Sequence, residues 1–462
     1  MEIIRFFAMI LIALGIIAPP AFEYTPIENR AYTDEELVVE PDSEKFIKMT
    51  ALDNGVDIYS TPKNERFSYR YGPTMILNAD GSIDAYFSAP GVNEWDWILY
   101  RHSPDGGKTW TDETSVLSPT PGSQDFYSCC DPGAVKFGDY YYIAYTSTVH
   151  EAGIINDVFV ARSKRPDTGF EKWNGNGWGG KPVPIIEYTG NPSTYGAGEP
   201  CMVVLDDVLY LYYTWKDGAL NQTRLSVADA TDENWPATLE YKGVAIEHAN
   251  GAVDSADVKY VEDFGKFMAV STMDRFTTES LVIVYVSDDG LNFQKSCYTK
   301  ENISHCCHNC GITSRPNGHI RLSDGVYFAY AYGDLWGHWP TRMNKVELTL
   351  TDEPDFSEYD KENVKTSVTD VKKSWFVDYV GITTDPRVYE KSLSDKAFKV
   401  NVMKADNDQK GSKIYFGVTF SDYDENIVSF DGKRFVPKNE GETYVTAHWQ
   451  GHSTVFLIRI TK

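Results

Sequence analysis

The sequence predicts an all-β chain, a five-bladed β-propeller followed by a small β-sandwich. Three observations carry this. Five stretches repeat one pattern: RYGPTM from Arg70, DPGAVK from Asp131, EPCMVV from Glu199, DSADVK from Asp254 and RPNGHI from Arg315. Each opens on a large polar or charged residue and turns apolar. A Gly or Asp turn and a second β-rich run follow, as in GDYYYIAYTS and DDVLYLYYTW. The period is roughly sixty residues, near the range in which self-similarity signals a propeller. Aromatic residues are also abundant, with 30 Tyr, 23 Phe and 11 Trp in 462 residues, and pleated strands accommodate them well. Finally, residues 55–350 alternate short β runs with Gly, Asn, Asp and Pro turns and contain no convincing amphipathic helix.

Taken in order, residues 1–21 combine Arg5, an apolar run from Phe6 to Ala18 and small residues, the pattern of a secretory signal peptide. The expectation is a secreted, extracellular protein with no membrane insertion. The net charge of −24 repels nucleic acid and anionic membranes, so neither is expected as a partner. Residues 22–54 are an acidic lead-in, 55–350 the propeller, 351–380 a polar linker and 381–462 a second run of strands.

Turn motifs support the blades. SPDGGKTW, from Ser103 to Trp110, is similar to the Asp-box of sialidase-like propellers, and SDDGLNF from Ser287 is a shorter relative. There Asp105 would bond the turn amides and Trp110 would pack between strands. Such boxes report fold rather than chemistry. Near the C-terminus, IVSFDG up to Gly432, EGETYVTA from Glu440 and the closing apolar strand resemble the bacterial Ig-like domain of group 2. The resemblance implies a sandwich used as a spacer or to hold a cell-surface polymer, without catalysis.

In a propeller, corresponding innermost strands start at one face around one channel. Arg70, Asp131, Glu199, Asp254 and Arg315 are therefore expected to face one another. Val135, Val203 and Val258 each follow a carboxylate by four residues, which places Asp131, Glu199 and Asp254 at equivalent positions on adjacent blades. Crowded carboxylates raise one another's pKa, and hydrolysis of a glycosidic bond needs an acid and a second carboxylate. Any one of the three read alone is as well explained as a strand-start residue bonding backbone amides.

The strands DPGAVKFGDYYYIAYTS and GEPCMVVLDDVLYLYYTW resemble the glycoside hydrolase family 43 group and its five-bladed relatives. The resemblance implies Glu199 as acid and Asp131 as base, with Asp254 as third carboxylate. That family usually carries its carboxylates on blades one, three and four; here they fall on two, three and four. Blade one, with Arg70 and Tyr71, resembles the first blade of sialidases, although the repeat counts five blades rather than six.

Arg70 and Arg315 suit a substrate carboxylate or sulfate, or ion pairs within the channel. Tyr71, Trp97 and Trp336 are candidate substrate contacts, with packing between blades as the alternative for each Trp. No cofactor and no metal are expected, and a structural calcium or other ion in the channel stays open. Seven cysteines in an exported chain suggest disulfides; vicinal disulfides or a metal site of His305, Cys306, His308 and Cys310 are alternatives. The function expected is a secreted glycosidase acting on a polysaccharide or oligosaccharide. The rivals are a non-catalytic carbohydrate-binding or adhesion propeller and a sialidase-like exo-glycosidase for an anionic sugar.

Overall fold

The computed structural model describes residues 37–59, 68–91, 96–149, 154–248, 253–333, 336–358, 381–405 and 412–462. The apolar leader and most of the expected linker lie outside the described residues. The described part begins with two short strands, β1 (Phe46–Ala51) and β2 (Val56–Tyr59). A first antiparallel sheet follows, of β3 (Tyr71–Leu77), β4 (Ile83–Pro90), β5 (Asp96–Ser103) and β6 (Thr114–Leu117). The second holds β7 (Cys130–Phe137), β8 (Tyr140–Thr148), β9 (Asn156–Ser163) and β10 (Glu171–Lys172). The third, β11 (Gly196–Leu205), β12 (Val208–Asp217), β13 (Leu220–Asp229) and β14 (Glu240–Glu247), is joined to the second by one parallel pair, Gly196 with Asn156. The fourth holds β15 (Ala256–Val261), β16 (Lys266–Met273), β17 (Leu281–Ser287) and β18 (Gln294–Thr299). The last comprises β19 (Cys307–Ile312), β21 (Val326–Tyr332) and β22 (Thr341–Thr351), while the two-residue β20 (His319–Ile320) joins β15.

β1 pairs antiparallel along β22 from Phe46–Thr351 to Ala51–Val346, and β2 pairs the start of the same strand. Residues Phe46–Ala51 of the acidic lead-in are thus the outer edge of the last sheet. The first strands β3, β7, β11, β15 and β19 adjoin in that order, and β19 returns to β3, so the sheets radiate from a closed ring. Central strands are buried on both faces; all eight residues of β4 are. They therefore read as near-continuous apolar runs. Apolar layers seal neighbouring sheets, with Ile76, Tyr86 and Phe159 between first and second and Met75, Phe87 and Met343 between first and last. The ring is tight. A Cβ on Gly133 would meet the Pro200 carbonyl at 2.2 Å, and one on Gly311 the Pro73 carbonyl at 2.0 Å.

The segment expected to be the fifth inner strand, RPNGHI, is instead a strap across one end of the ring. Carbonyls of Ser314, Pro316, Asn317 and Gly318 accept the N–H groups of Leu77, Lys136, Val204 and Tyr260 at 2.7, 2.6, 2.9 and 3.1 Å. Each partner ends a different inner strand or stands just beside its end. The true fifth inner strand is β19, the Cys-rich CHNCGI. At the outer turn after β5, Asp105 accepts the N–H groups of Lys108 and Thr109 at 3.1 and 2.8 Å.

None of the seven cysteines is bonded to another; all are buried thiols, which corrects the disulfide expectation. Cys129, Cys201, Cys297 and Cys307 fill apolar layers between sheets, as small hydrophobes do.

The C-terminal residues hold β23 (Gly381–Thr384), β24 (Val388–Ser392), β25 (Val402–Ala405), β26 (Thr419–Ser421), β27 (Val428–Phe430), β28 (Phe435–Pro437), β29 (Gly441–Trp449) and β30 (His452–Thr461). β29 and β30 form a hairpin flanked by β26 and by β24, the latter parallel to β30. Their own core contains Phe435, Val445, Trp449 and Phe456. This module touches the first two sheets, for example where Thr168 donates to the Gly451 carbonyl at 2.8 Å.

Candidate active site

Four of the five inner strands carry a β-bulge at the same place. The register slips after Tyr71 in β3, Cys130 in β7, Gly198 in β11 and His308 in β19. The residue that follows each slip has a positive φ: Gly72 at 59°, Asp131 at 48°, Glu199 at 50° and Asn309 at 42°. Bulges re-aim side chains, and left-handed non-glycine residues are strained positions that cluster at functional sites. β15 has no slip, and Asp254 stands two residues ahead of it. The ring of equivalent positions is thus Gly72, Asp131, Glu199, Asp254 and Asn309.

Hydroxyls hold the bulges in place. Ser88 of β4 accepts the Asp131 N–H at 2.7 Å, and Thr146 of β8 accepts the Glu199 N–H at 2.6 Å. In both cases a second strand fixes the next sheet's carboxylate. The Thr146 side chain also counters the upward push on Asp131, and Thr214 that on Glu199.

Asp131, Glu199 and Asp254 feel one another's charge, and their environments separate them. Burial, then the neighbouring Glu199, raises Asp131 well above the usual carboxylate range. Burial also raises Glu199, with Lys216 and Arg275 opposing and Asp254 adding to the rise. Glu199 Oε2 is buried without a hydrogen-bond partner. Asp254 goes the other way. Burial pushes it upward, but Arg275, Lys216 and the Asn309 N–H together outweigh that and hold it below the usual range. Its Oδ1 receives Arg275 at 2.8 Å and its Oδ2 the Asn309 N–H at 2.9 Å. Asp257, one layer further along the same strand, bonds Lys259 and the Ile312 N–H. A cavity of about 30 Å³, room for roughly one water, is lined by Gly72, Asp131, Glu199, Ser255, Asp257 and Asn309. Any ligand larger than a water therefore has to bind at the mouth rather than inside the ring.

The arginines expected at the site are elsewhere. Arg70 is fully buried and forks onto Glu113, with Nε and an Nη at 2.8 and 2.5 Å. The reason is register: Gly72-Pro73, not Arg70-Tyr71, matches Asp131-Pro132 and Glu199-Pro200. Arg315 lies on the strap at the other end, paired with Asp324 at 2.7 Å and near Glu262. The guanidinium that does reach the carboxylates is Arg275, from the loop after β16.

Tyr71 is at the site. It donates to Asp96 Oδ2 at 2.8 Å, and Tyr69 donates to Asp96 Oδ1. Asp96 is a fourth carboxylate that the sequence reading missed. Burial raises it to about 6 against the two tyrosine hydrogen bonds, and its charge is felt at Asp131. Its neighbour Trp97 points the opposite way along β5 and is 2% exposed, so it is a packing residue and not a sugar platform. Trp336 is 74% exposed and stands against Trp339 and Phe276, with ring centroids 4.9 and 5.9 Å away. Trp339 in turn contacts Tyr69, Tyr71 and His308. His308 is buried, which lowers it to about 4, so it is neutral. Among the described residues no group of three or more His, Cys, Asp or Glu is arranged to hold a metal ion, and the Cys-His reading of residues 305–310 finds no support.

No family model and no curated protein matches this chain. Solved structures that are similar to it include the family 117 glycoside hydrolase Zg3597 of the marine bacterium Zobellia galactanivorans. The two are 15% identical over 68% of this chain and 92% of that one, with a TM-score of 0.45. The α-L-arabinofuranosidase PaAbf62A of Podospora anserina, in complex with cellotriose, is 13% identical over 66% and 97%, with a TM-score of 0.46. An endo-arabinase of Bacteroides thetaiotaomicron is 12% identical over 62% and 96%, with a TM-score of 0.41. All three are distant likenesses.

Proposed function

We propose that this protein is a glycoside hydrolase that cleaves a poly- or oligosaccharide at the mouth of the ring. One observation carries the reading: three carboxylates on consecutive inner strands, two pushed toward the protonated form and one held ionised. Paired titratable groups whose environments drive them apart mark acid and base roles. Glu199 is the acid. Its Oε2, buried without a partner, is kept for a proton that passes to the leaving oxygen. Asp131 is the base. It and Glu199 crowd each other as like charges, so at working pH the pair holds one proton between them. In the reactive state that proton is on Glu199, and Asp131, although burial pushes it up the more strongly, is the ionised member that accepts a proton from the attacking water. Asp254 has both oxygens engaged and is not free to take a proton; its fixed charge helps hold Glu199 protonated.

The mature chain acts outside the cell, after loss of residues 1–21. Among the described residues no helix is long and apolar enough to cross a membrane. Residues 381–462 serve as a non-catalytic spacer or polymer-holding module, supported by their separate core. The Trp336 face stacks on the apolar side of a sugar ring.

The test is a screen of the purified chain on arabinan, xylan, galactan, uronate-bearing glycans and aryl glycosides, with Glu199→Gln in parallel. Turnover that falls about a hundredfold or more in the variant supports the assignment. Turnover indifferent to Glu199 overturns the role of that residue. Binding of a glycan without cleavage replaces the hydrolase with a carbohydrate-binding propeller.

A further inference from the structure

Two cations border the carboxylates in a chain whose net charge is −24. Arg275 lies between two residues with left-handed backbones, Asp274 at φ 52° and Phe276 at φ 63°. That loop is pinned where Thr277 donates to the Asp274 carbonyl at 2.5 Å and accepts the Cys306 N–H on its own carbonyl at 2.9 Å. The strain is held in place by these bonds, and what it presents is the guanidinium. One Nη is on Asp254, the carbon at the head lies 5.2 Å from the Phe276 ring, and the side chain remains 31% exposed. A guanidinium carries five N–H donors, so this contact leaves others for a ligand.

Lys216 comes from β12, two residues beyond Thr214. Residues two apart on a strand share a face, and Thr214 pairs with Gly198, the residue before Glu199, so Lys216 extends along the same wall. Its ammonium lies 5.2 Å from the Tyr195 ring centroid. Asp254 is already satisfied by one guanidinium bond and one backbone N–H, which leaves Lys216 in excess of what that carboxylate requires. Lys216 pairs with Gly196 in β11, three residues before Glu199, and Arg275 bonds Asp254, so the two cations flank neighbouring carboxylates and the charge of both is felt at Glu199 and Asp254.

We infer that Arg275 and Lys216 together receive an anionic group of the substrate sugar, a carboxylate or a sulfate ester, beside Glu199. This rests on the hydrolase reading and adds the substrate class. Arg supplies a planar fork and Lys a point charge, a combination suited to either oxyanion. An acidic protein surface repels an acidic polymer at long range, so these two side chains supply the local attraction.

The full mature chain is tested by calorimetry and by turnover. The probes are oligogalacturonides and glucuronate-bearing xylo-oligosaccharides as carboxylate arm, sulfated galactan oligosaccharides as sulfate arm, and the matching neutral oligosaccharides. The expected result is a preference of about tenfold or more for one acidic arm over its neutral match. That preference weakens as salt rises, and Lys216→Met reduces the ratio of acidic to neutral affinity toward parity. Arg275→Lys, which keeps a positive charge for Asp254, loses affinity for the acidic arm in the same sense. Equal handling of acidic and neutral glycans, or a Lys216→Met loss that is the same for both, overturns the inference. Failures separate cleanly. Glu199-dependent cleavage of neutral glycans alone leaves the hydrolase standing and removes the anion subsite. Lys216-dependent binding of an acidic arm with no bond cleaved does the reverse.

Discussion

The backbone N–H of Glu199 donates to the hydroxyl of Thr146 at 2.6 Å, across the seam between the third sheet and the second. The same side chain also counters the upward push on the Asp131 carboxyl, so it bears on both members of the proposed pair. Thr146→Val keeps the shape and removes both effects. The expected outcome is a kcat lowered roughly ten- to hundredfold, with about 1–3 kcal/mol lost from stability because the Glu199 N–H is left unsatisfied. Steady-state kinetics and urea unfolding on the same preparation check it.

The pH profile follows from the raised pair. The acid must keep its proton, and both Glu199 and Asp131 are shifted upward, by burial first. The alkaline limb of kcat/KM is expected to lie above the ordinary carboxylate range. Loss of activity at a pH near 4 to 5 on rising pH would contradict the assignment.

Asp96 gives a stability prediction with a definite sign. Its folded value of about 6 stands above the ordinary 3.8. Its contribution is therefore full below pH 3.8 and is lost as pH rises through 6. Asp96→Asn removes that loss, so the difference in stability between wild type and variant shifts in favour of the variant between pH 4 and 7. Denaturant titrations at several pH values measure this.

Arg70 is a structural residue, and removing its partner tests the point. Glu113→Ala leaves a fully buried guanidinium without its carboxylate, and about 3–5 kcal/mol of stability is expected to go. KM for a glycan substrate, measured at a temperature where the variant stays folded, is expected to hold.

The two tryptophans should behave oppositely. Trp336→Ala is expected to leave stability within about 0.5 kcal/mol and to raise KM about five- to tenfold through lost stacking. Trp97→Ala is expected to cost about 3–5 kcal/mol of stability. Melting curves beside KM values separate the two.

The carboxylate triad was legible because the D-P and E-P entries, each with Val four residues on, repeat visibly. The arginines were not, for a backbone reason. The bulge residue of the first sheet is Gly72, two places past Arg70, and a glycine gives no chemical signal. The last inner strand was hidden because CHNCGI resembles a metal or disulfide motif, while RPNGHI copies the strand pattern yet spends its carbonyls strapping the ring. Arg275 sits in a loop with no periodicity, and only its flanking positive φ angles reveal that it is held. Asp96 was in view beside Trp97, but which neighbour faces the site depends on strand alternation. That alternation is settled only once β5 has its register.

The pairing of β1 with β22 has a consequence for how the molecule comes into being. The chain from 46 to 51 is made first, and its hydrogen-bonding partner from 346 to 351 is made almost last. A ribosome-bound fragment can lay down the sheets that bear Asp131, Glu199 and Asp254 and then the strap at 314–318 across their ends, but β1 has no partner until β22 is made. Such distant pairing slows folding. A product truncated before residue 341 would carry Asp131, Glu199 and Asp254 yet leave β1 and β21 without their neighbour in the last sheet.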